Sequence, residues 1–313
     1  MLRHLGRCLI YLMVAVAGIV TVAFFLMRAI PGDPAAYMLG DYATANALAI
    51  LRAQLGLDRS LLEQYALFIA RAARGDLGSS VVTGQAALTE ILDSLPASAA
   101  LAVSGLLVAI LIGVPLGIAS AVRQGTWLDV AIMLAALAGI SFPVFWLGLA
   151  AILILSHGLD LFPALGSSGS ENALTRLHHL ALPALVLGFS VAAYIARLTR
   201  SAMLDVLGQD YVRVARAMGI PERRILYKLA LRNALIPILA VIGVTFAWSL
   251  GNAILIEAVF SRPGVGSTLL KAILARDYQL VQAGVLVLAS AVVVINAILD
   301  VAYGVIDPRL RAG

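Results

Sequence analysis

Ser94-Leu-Pro-Ala-Ser-Ala-Ala-Leu-Ala-Val-Ser-Gly-Leu-Leu-Val-Ala-Ile-Leu-Ile-Gly-Val-Pro-Leu-Gly-Ile-Ala-Ser-Ala-Val122 contains no Asp, Glu, Lys or Arg. As a helix it is long enough to cross a hydrocarbon core of about 30 Å, which takes about 20 apolar residues. Five further charge-free stretches of at least 20 residues lie on either side of it: Cys8 to Met27, Val130 to Leu159, Leu177 to Ala196, Asn233 to Ile256 and Tyr278 to Leu299. Hydrophobic residues make up 62% of the 313 positions and charged ones 12%, where soluble domains carry roughly 45–50% and about 25%. A water-soluble globule is excluded on those grounds. Six helices of this kind satisfy their own backbone groups in lipid and pack as an all-α bundle.

Arg3 and Arg7 precede the first stretch as they would in a signal peptide. The stretch exceeds the usual apolar length of about 7–15 residues, however, and Arg28 to Pro34 offers no small-residue cleavage site. It reads as a retained first span. Basic residues set the orientation, because inner loops close to spans hold excess Lys and Arg. With the N-terminus inside, 13 of the 22 Lys+Arg fall in the 64 residues of 1–7, 123–129, 197–232 and 300–313, against nine in the 104 residues of 28–93, 160–176 and 257–277. Both termini are expected in the cytoplasm. The net charge of +5 is then a topology signal and not a nucleic-acid footprint. Cys8 is the only cysteine, which excludes an intrachain disulfide or a multi-cysteine metal site.

The long outer segment between the first two spans has helical periodicity at Leu48, Leu51 and Leu55 and again at Leu61, Tyr65, Phe68 and Ala72. Turn signals separate these runs at Gly56-Leu57-Asp58 and Gly75-Asp76-Leu77-Gly78. The chain thus divides into residues 1–93, with the first span and a helical extracytoplasmic loop, and residues 94–313, with five spans. That loop serves either as a cap on the bundle or also as a receptor for a solute-delivering protein.

The inner segment between spans four and five, about 205–232, is patterned as helix, tight turn, helix. It contains Tyr211-Val-Arg-Val-Ala-Arg-Ala-Met-Gly219 followed by Ile220-Pro221-Glu-Arg-Arg224. Gly219 suits a turn, Pro221 the first turn of a helix and Glu222 that helix's positive end. A basic helix beside a membrane commonly snorkels toward headgroups. Small Ala215 and Ala217 instead suggest a thin elbow that another protein's groove accepts, with Ile225, Leu226 and Leu229 as a docking face.

These residues resemble the permease subunits of the dipeptide/oligopeptide/nickel family of ABC importers. The likeness extends over nearly the whole chain. It includes Ile30-Pro-Gly-Asp-Pro34, Leu55-Gly-Leu-Asp58, Gly75-Asp-Leu-Gly78, Leu95-Pro96, Ser141-Phe-Pro-Val-Phe-Trp146, Leu182-Pro-Ala-Leu185, Leu231-Arg-Asn-Ala-Leu-Ile-Pro237, Glu257-Ala-Val-Phe-Ser-Arg-Pro-Gly-Val-Gly266, Arg276-Asp-Tyr278 and Asp307-Pro-Arg309, besides the Tyr211–Gly219 run. The resemblance implies a type I importer bundle in a bacterial inner membrane. It also implies a cytoplasmic coupling helix seated on an ATPase, with Arg213, Ala215, Arg216, Ala217, Gly219, Pro221 and Arg223 at the matching positions. The general pattern of Glu-Ala-Ala, three residues, then Gly is altered here, since Arg213 takes the acidic place. Expected partners are a second homologous permease, two ATPase subunits and an external solute-binding protein. ATP and Mg then belong to the ATPases, and this chain carries no cofactor of its own.

That assignment agrees with the absence of a phosphate-binding loop, since Lys228 and Lys271 follow Tyr227 and Leu270 and neither fits Gly-Lys-[Ser/Thr]. The implied mechanism is alternating access. Pro143, Asn252 and Asn296 are candidates for lining the path, being costly or irregular in lipid, while Gly113 to Gly117, Pro115 and Pro183 fit helix packing and kinks. Asp300 lies one helical turn beyond Asn296. An intramembrane serine protease is a rival of another class, on Gly166-Ser-Ser-Gly169, but the last histidine is His179 and the two later spans have none. An ion-coupled carrier usually holds ionisable groups inside its spans, and none is central here. Peptide is the expected solute, and nickel or a nickel chelate the alternative, with His178 and His179 as the residues that raise it.

Overall fold

The computed structural model describes residues 2–29, 34–40, 44–166 and 172–306, with side chains of residues 2–12, 26, 27, 29, 34, 37, 38, 54, 55 and 300–306 left aside. Of the landmarks above, residues 30–33, Ser167 to Gly169 and Asp307 to Arg309 lie outside the described residues, as do the side chains of Cys8 and Asp300.

The described chain is helical, with a single isolated bridge between Ser79 and Ala86. In order the helices are α1 (Leu2–Ala29), α2 (Pro34–Leu39), α3 (Ala45–Leu55), α4 (Leu61–Ala72), α5 (Ala87–Val122), α6 (Trp127–Ser141), α7 (Val144–Ala151), α8 (Ala173–Leu207), α9 (Asp210–Ala217), α10 (Glu222–Arg224), α11 (Leu231–Val259), α12 (Val265–Leu274) and α13 (Tyr278–Ile306). A π-helical stretch, Ile152–Gly158, extends α7, and another, Ile225–Ala230, joins α10 to α11.

Among the described residues four helices are long and apolar enough to cross a membrane: α5, α8, the joined helix Glu222–Val259, and Tyr278–Leu299 of α13. The third charge-free stretch departs from expectation. It is not one straight span, because α6 and the helix Val144–Gly158 meet at a bend of 101°, and only as a pair do they make a fifth. Pro143 causes the break. A proline disfavours α geometry at the residue before it, and Phe142 is extended at φ −85°, ψ 133°. Absence of charge could not reveal this. The first stretch falls in α1, 28 residues long, whose described apolar part is Met13–Phe25.

The chain forms two compact units, residues 1–96 with 264–297 and residues 97–263 with 298–313, so that α5 and α13 each contribute to both. In the first unit the two loop helices stand where periodicity placed them. Ser60 caps α4 in a reciprocal pair with Glu63, which satisfies two otherwise orphaned N–H groups. Phe24 of α1 is fully buried and meets the rings of Tyr65 and Phe68 at 5.2 and 5.5 Å. Thr21 and Tyr65 share a 2.6 Å hydrogen bond.

Two family landmarks, Gly75–Gly78 and Arg276–Tyr278, come together in this unit. Asp277 is fully buried; its carboxylate accepts from Ser80 Oγ at 2.5 Å and from the Val81 N–H at 2.9 Å. It also caps α13 through the Leu280 N–H at 3.1 Å. The turn around residues 79–86 is thereby pinned to the start of α13, and Gln279 accepts from the Ser79 N–H at 2.9 Å.

In the second unit α8 is the central rod. Leu182, Leu187 and Ile195 on it are fully buried, the first two against Leu101, Val144, Ala253, Ile256 and Phe260. Ile195 packs with Ala109, Val191 and Ala192. Gly113 and Gly117 serve this packing. A Cβ on Gly117 would lie 2.6 Å from the Ala196 carbonyl, and one on Gly113 2.7 Å from that of Ala192. Gly188 on α8 returns the contact, since a Cβ there would sit 2.7 Å from the Gly105 carbonyl and 2.6 Å from Val108 Cβ.

Because backbone cannot retreat cheaply, Gly188→Ala should lose about 1–3 kcal/mol to overpacking. Gly251→Ala, where a Cβ meets nothing within 4 Å, should be neutral or gain up to about 1 kcal/mol of helix propensity. Thermal unfolding of both variants in one detergent checks the contrast.

Candidate functional site: the elbow between α8 and α11

The elbow lies wholly in the second unit. Gln209 precedes α9 in extended geometry (φ −71°, ψ 149°), and its carbonyl accepts the Val212 N–H at 3.1 Å. The helix ends at Met218. Gly219 then turns into the left-handed region at φ +73°, which costs an L-residue with a side chain roughly 1–2 kcal/mol. Its N–H donates to the Arg216 carbonyl at 3.0 Å, and the Ile220 N–H donates to that of Ala215 at 3.2 Å. Those two bonds form a Schellman closure, which satisfies carbonyls the helix end leaves open. Pro221 follows just before the second limb, whose first N–H groups at Arg224 and Ile225 reach its carbonyl at 2.8 and 3.2 Å. The helix–turn–helix expected from Gly219 and Pro221 is therefore formed.

A small core holds the two limbs together. Val212 and Ile225 are fully buried and Ala215 nearly so, with Leu207, Ile220 and Leu229 packed around them. Here the structure corrects the sequence argument. Ala215 faces inward and not toward a partner, because the limbs close on each other and its small size lets Ile225 approach. Ile225 likewise is spent inside the elbow, and Leu226 and Leu229 are half-buried. The outward apolar residues are Tyr211, Val214, Met218 and Tyr227, with Met218 73% exposed. Arg213, Ala217, Gly219, Pro221 and Arg223 are exposed beside them.

Arg216 bridges the limbs, donating from Nη2 to Glu222 Oε1 at 2.8 Å and from Nε to Oε2 at 3.3 Å. Arg213 pairs with Asp210 at 3.5 Å, both well exposed, a contact worth little in water. Tyr211 Oη accepts from Asn233 Nδ2 at 2.8 Å, tying α9 to the first turn of α11. The π-helical turn over Ile225–Ala230 left no trace in the residue pattern, since its wider spacing follows from packing and not from composition.

The remaining expected residues are dispersed. Pro143 is exposed at the bend before α7, Asn252 is half-buried on α11, and Asn296 is exposed on α13 in the first unit. His178 donates from Nε2 to the Leu161 carbonyl at 3.1 Å and His179 from Nδ1 to that of Leu165 at 2.7 Å. Both rings fasten the preceding loop to α8. Among the described residues no group of three or more His, Cys, Asp or Glu is placed to hold a metal ion.

Several buried charges went unread in the sequence. Asp129 and Arg200 form a pair at 2.7 Å, and the only hint was their position just outside charge-free stretches. Asp277 stood directly before the last span, where an N-cap acid is the ordinary helix-start signal. Glu257, fully buried near the end of α11, follows the fifth stretch, and the chain turns back there with the Arg262 N–H on its carbonyl at 2.9 Å.

Ile225→Ala should weaken the elbow by about 2–4 kcal/mol. Trypsin cleavage at Arg213, Arg216, Arg223 and Arg224 should accelerate accordingly in membrane vesicles, and an unchanged rate would show that Ile225 does not hold the limbs together.

Comparison with known proteins places this architecture. Residues 113–312 match the family described as binding-protein-dependent transport system inner membrane component, and residues 1–102 match the N-terminal family of the same membrane components. The dipeptide transport system permease protein DppB of Alkalihalophilus pseudofirmus is 39% identical over 332 residues, covering 99% of this chain and 100% of that protein. The di/tripeptide transport system permease protein DppB of Pseudomonas aeruginosa is 38% identical, covering 99% of both. The glutathione transport system permease protein GsiC of Salmonella choleraesuis is 37% identical, again covering 99% of both. The chain belongs to the family of binding-protein-dependent transport system inner membrane components, and is a multi-pass helical protein of the inner membrane.

Proposed function

We propose that this chain is a permease subunit of an ATP-driven importer of di- and oligopeptides, and that the α9–α10 elbow is where it takes up the motion of an ATPase. The carrying observation is the elbow's construction: its own core is closed by Val212, Ala215 and Ile225, and yet it presents Tyr211, Val214, Met218 and Tyr227 outward. Ordinary snorkelling gives no reason to spend a Schellman closure and a bidentate Arg216–Glu222 bridge on such a protrusion. Full-length similarity to permeases named for dipeptides, di/tripeptides and glutathione, itself a small peptide, supports the solute class.

In this reading the protein has six spans with both termini in the cytoplasm, and the pair α6–α7 counts as one bent span. It works with a second homologous permease, two ATPases that bind ATP and Mg, and an external binding protein. Arg213, Ala217, Gly219, Pro221 and Arg223 meet the ATPase, while Ala215 and Arg216 keep the elbow's shape. Pro143, Asn252 and Asn296 border the solute path. The extracytoplasmic loop of residues 28–93, braced on Phe24, faces the binding protein. Two permeases sharing one path then alternate between inward and outward openings as ATPase closure moves the elbows. The nickel alternative draws no support from His178 and His179, whose rings are engaged with backbone carbonyls.

The test is ATPase rate in lipid for the complex purified with its co-encoded subunits, using binding proteins loaded with dipeptide or with a nickel chelate. Dipeptide-loaded protein should stimulate hydrolysis, and Met218→Glu should abolish at least about nine-tenths of that stimulation, a loss of 1.4 kcal/mol or more in coupling. Stimulation by the nickel-loaded protein alone would overturn the peptide assignment.

A further inference from the structure

The end of α8 nearest the elbow carries a second construction. Asp129, on the first turn of α6, is 5% exposed, and its carboxylate accepts four hydrogen bonds. Arg200 of α8 donates from Nε to Oδ1 at 2.7 Å and from Nη2 to Oδ2 at 2.8 Å. Ser120 Oγ, on the last turn of α5, donates to Oδ1 at 2.5 Å, and the Gly125 N–H donates to Oδ2 at 3.0 Å. One carboxylate thus joins the end of α5, the α5–α6 turn, the start of α6 and α8.

We propose that Asp129 and Arg200 are positioning residues that make α6 move with the elbow, and this rests on the elbow being the point where ATPase motion enters. Contact from elbow to clamp is continuous. Leu207 packs in the elbow core with Val212 and Ile225, and also lies against the cluster of Ala121, Met203, Ala230, Ala234 and Ile238. Ala121 is next to Ser120, and Met203 is three residues, about one helical turn, from Arg200. Apolar contact is attractive but undirected, so it resists sliding of α8 along α6 less than hydrogen bonds of fixed geometry do. The link from α8 to α6 has to hold in both directions if the helices are to move together, and a bidentate guanidinium–carboxylate pair resists separation as well as sliding.

Stability alone is a poor reason for the pair. Asp129 is buried and Arg200 half-buried, and an ion pair taken out of water often does no better than apolar residues of the same volume, while the Gly117–Ala196 approach already holds α5 to α8 without it. What the pair adds is a fixed distance and angle between α8 and the start of α6, upstream of the bend at Pro143.

The test uses the assembled complex in proteoliposomes, in a Cys8→Ser background with spin labels at Gln209→Cys beside the elbow and Leu134→Cys on α6. In the otherwise wild-type chain the label distance should be the same without nucleotide and with ATP trapped. Asp129→Asn should let that distance shift between the two states, and should lower peptide imported per ATP hydrolysed by at least about fivefold. The exchanged pair Asp129→Arg with Arg200→Asp should restore the constant distance, separating loss of the link from loss of folding. A label distance that changes with ATP in the wild-type chain, or that stays constant in Asp129→Asn, overturns the proposal. A complex that keeps the label behaviour but imports no peptide overturns the solute assignment and leaves the clamp standing.

Discussion

A helix surrounded by hydrocarbon gains nothing from hiding apolar surface against a neighbour, so close packing and internal polar bonds must hold a membrane bundle together. In the larger unit that constraint falls on α8. Gly113 and Gly117 let α5 approach until backbone meets backbone, and Gly188 answers from α8 itself. On its other sides α8 packs against α6 through Ala193 and Gly139 and against α7 and α11 in the cluster around Leu182, Leu187 and Phe260. Every element that shapes the elbow is seated on this rod or continues from it.

The elbow follows from the same economy. The eight-residue α9 lacks the length to be stable alone, so it shares a core of Val212, Ala215 and Ile225 with the start of the joined helix Glu222–Val259. The two limbs also share the Arg216–Glu222 bridge. The consequence is a protrusion with fixed shape whose outer surface is apolar and basic together. Such a surface is costly to leave in water and suits a protein groove, and its fixed shape traces back to the capping chemistry at Gly219.

Much of this was legible in the residues. Charge-free length located the four helices long enough to cross a membrane and the bent pair α6–α7, Gly56 and Gly75 marked the ends of the loop helices, and Gly219-Ile220-Pro221 gave the elbow. Of the periodic run Leu61, Tyr65 and Phe68, the two aromatic residues pack on Phe24, while Leu61 stays exposed. The bend at Phe142-Pro143 was written in the sequence but hidden by a criterion that counted only charge. The direction of Ala215 and Ile225 was not legible, because which face of an eight-residue helix turns inward depends on where the second limb lies. Nor were the Asp129–Arg200 pair and the Asp277 cap on residues 80 and 81, since each joins segments far apart in the chain and a single sequence carries no record of that pairing.

Site-specific photocrosslinking along the elbow of the assembled complex tests the central claim most directly, with a photoreactive residue introduced in turn at Val214, Ala215 and Met218. The account predicts crosslinks to an ATPase subunit from 214 and 218 and little or none from 215, which faces Ile225. Crosslinks from 214 and 218 to lipid alone would contradict it, because the elbow would then be a snorkelling helix and the source of motion would lie elsewhere.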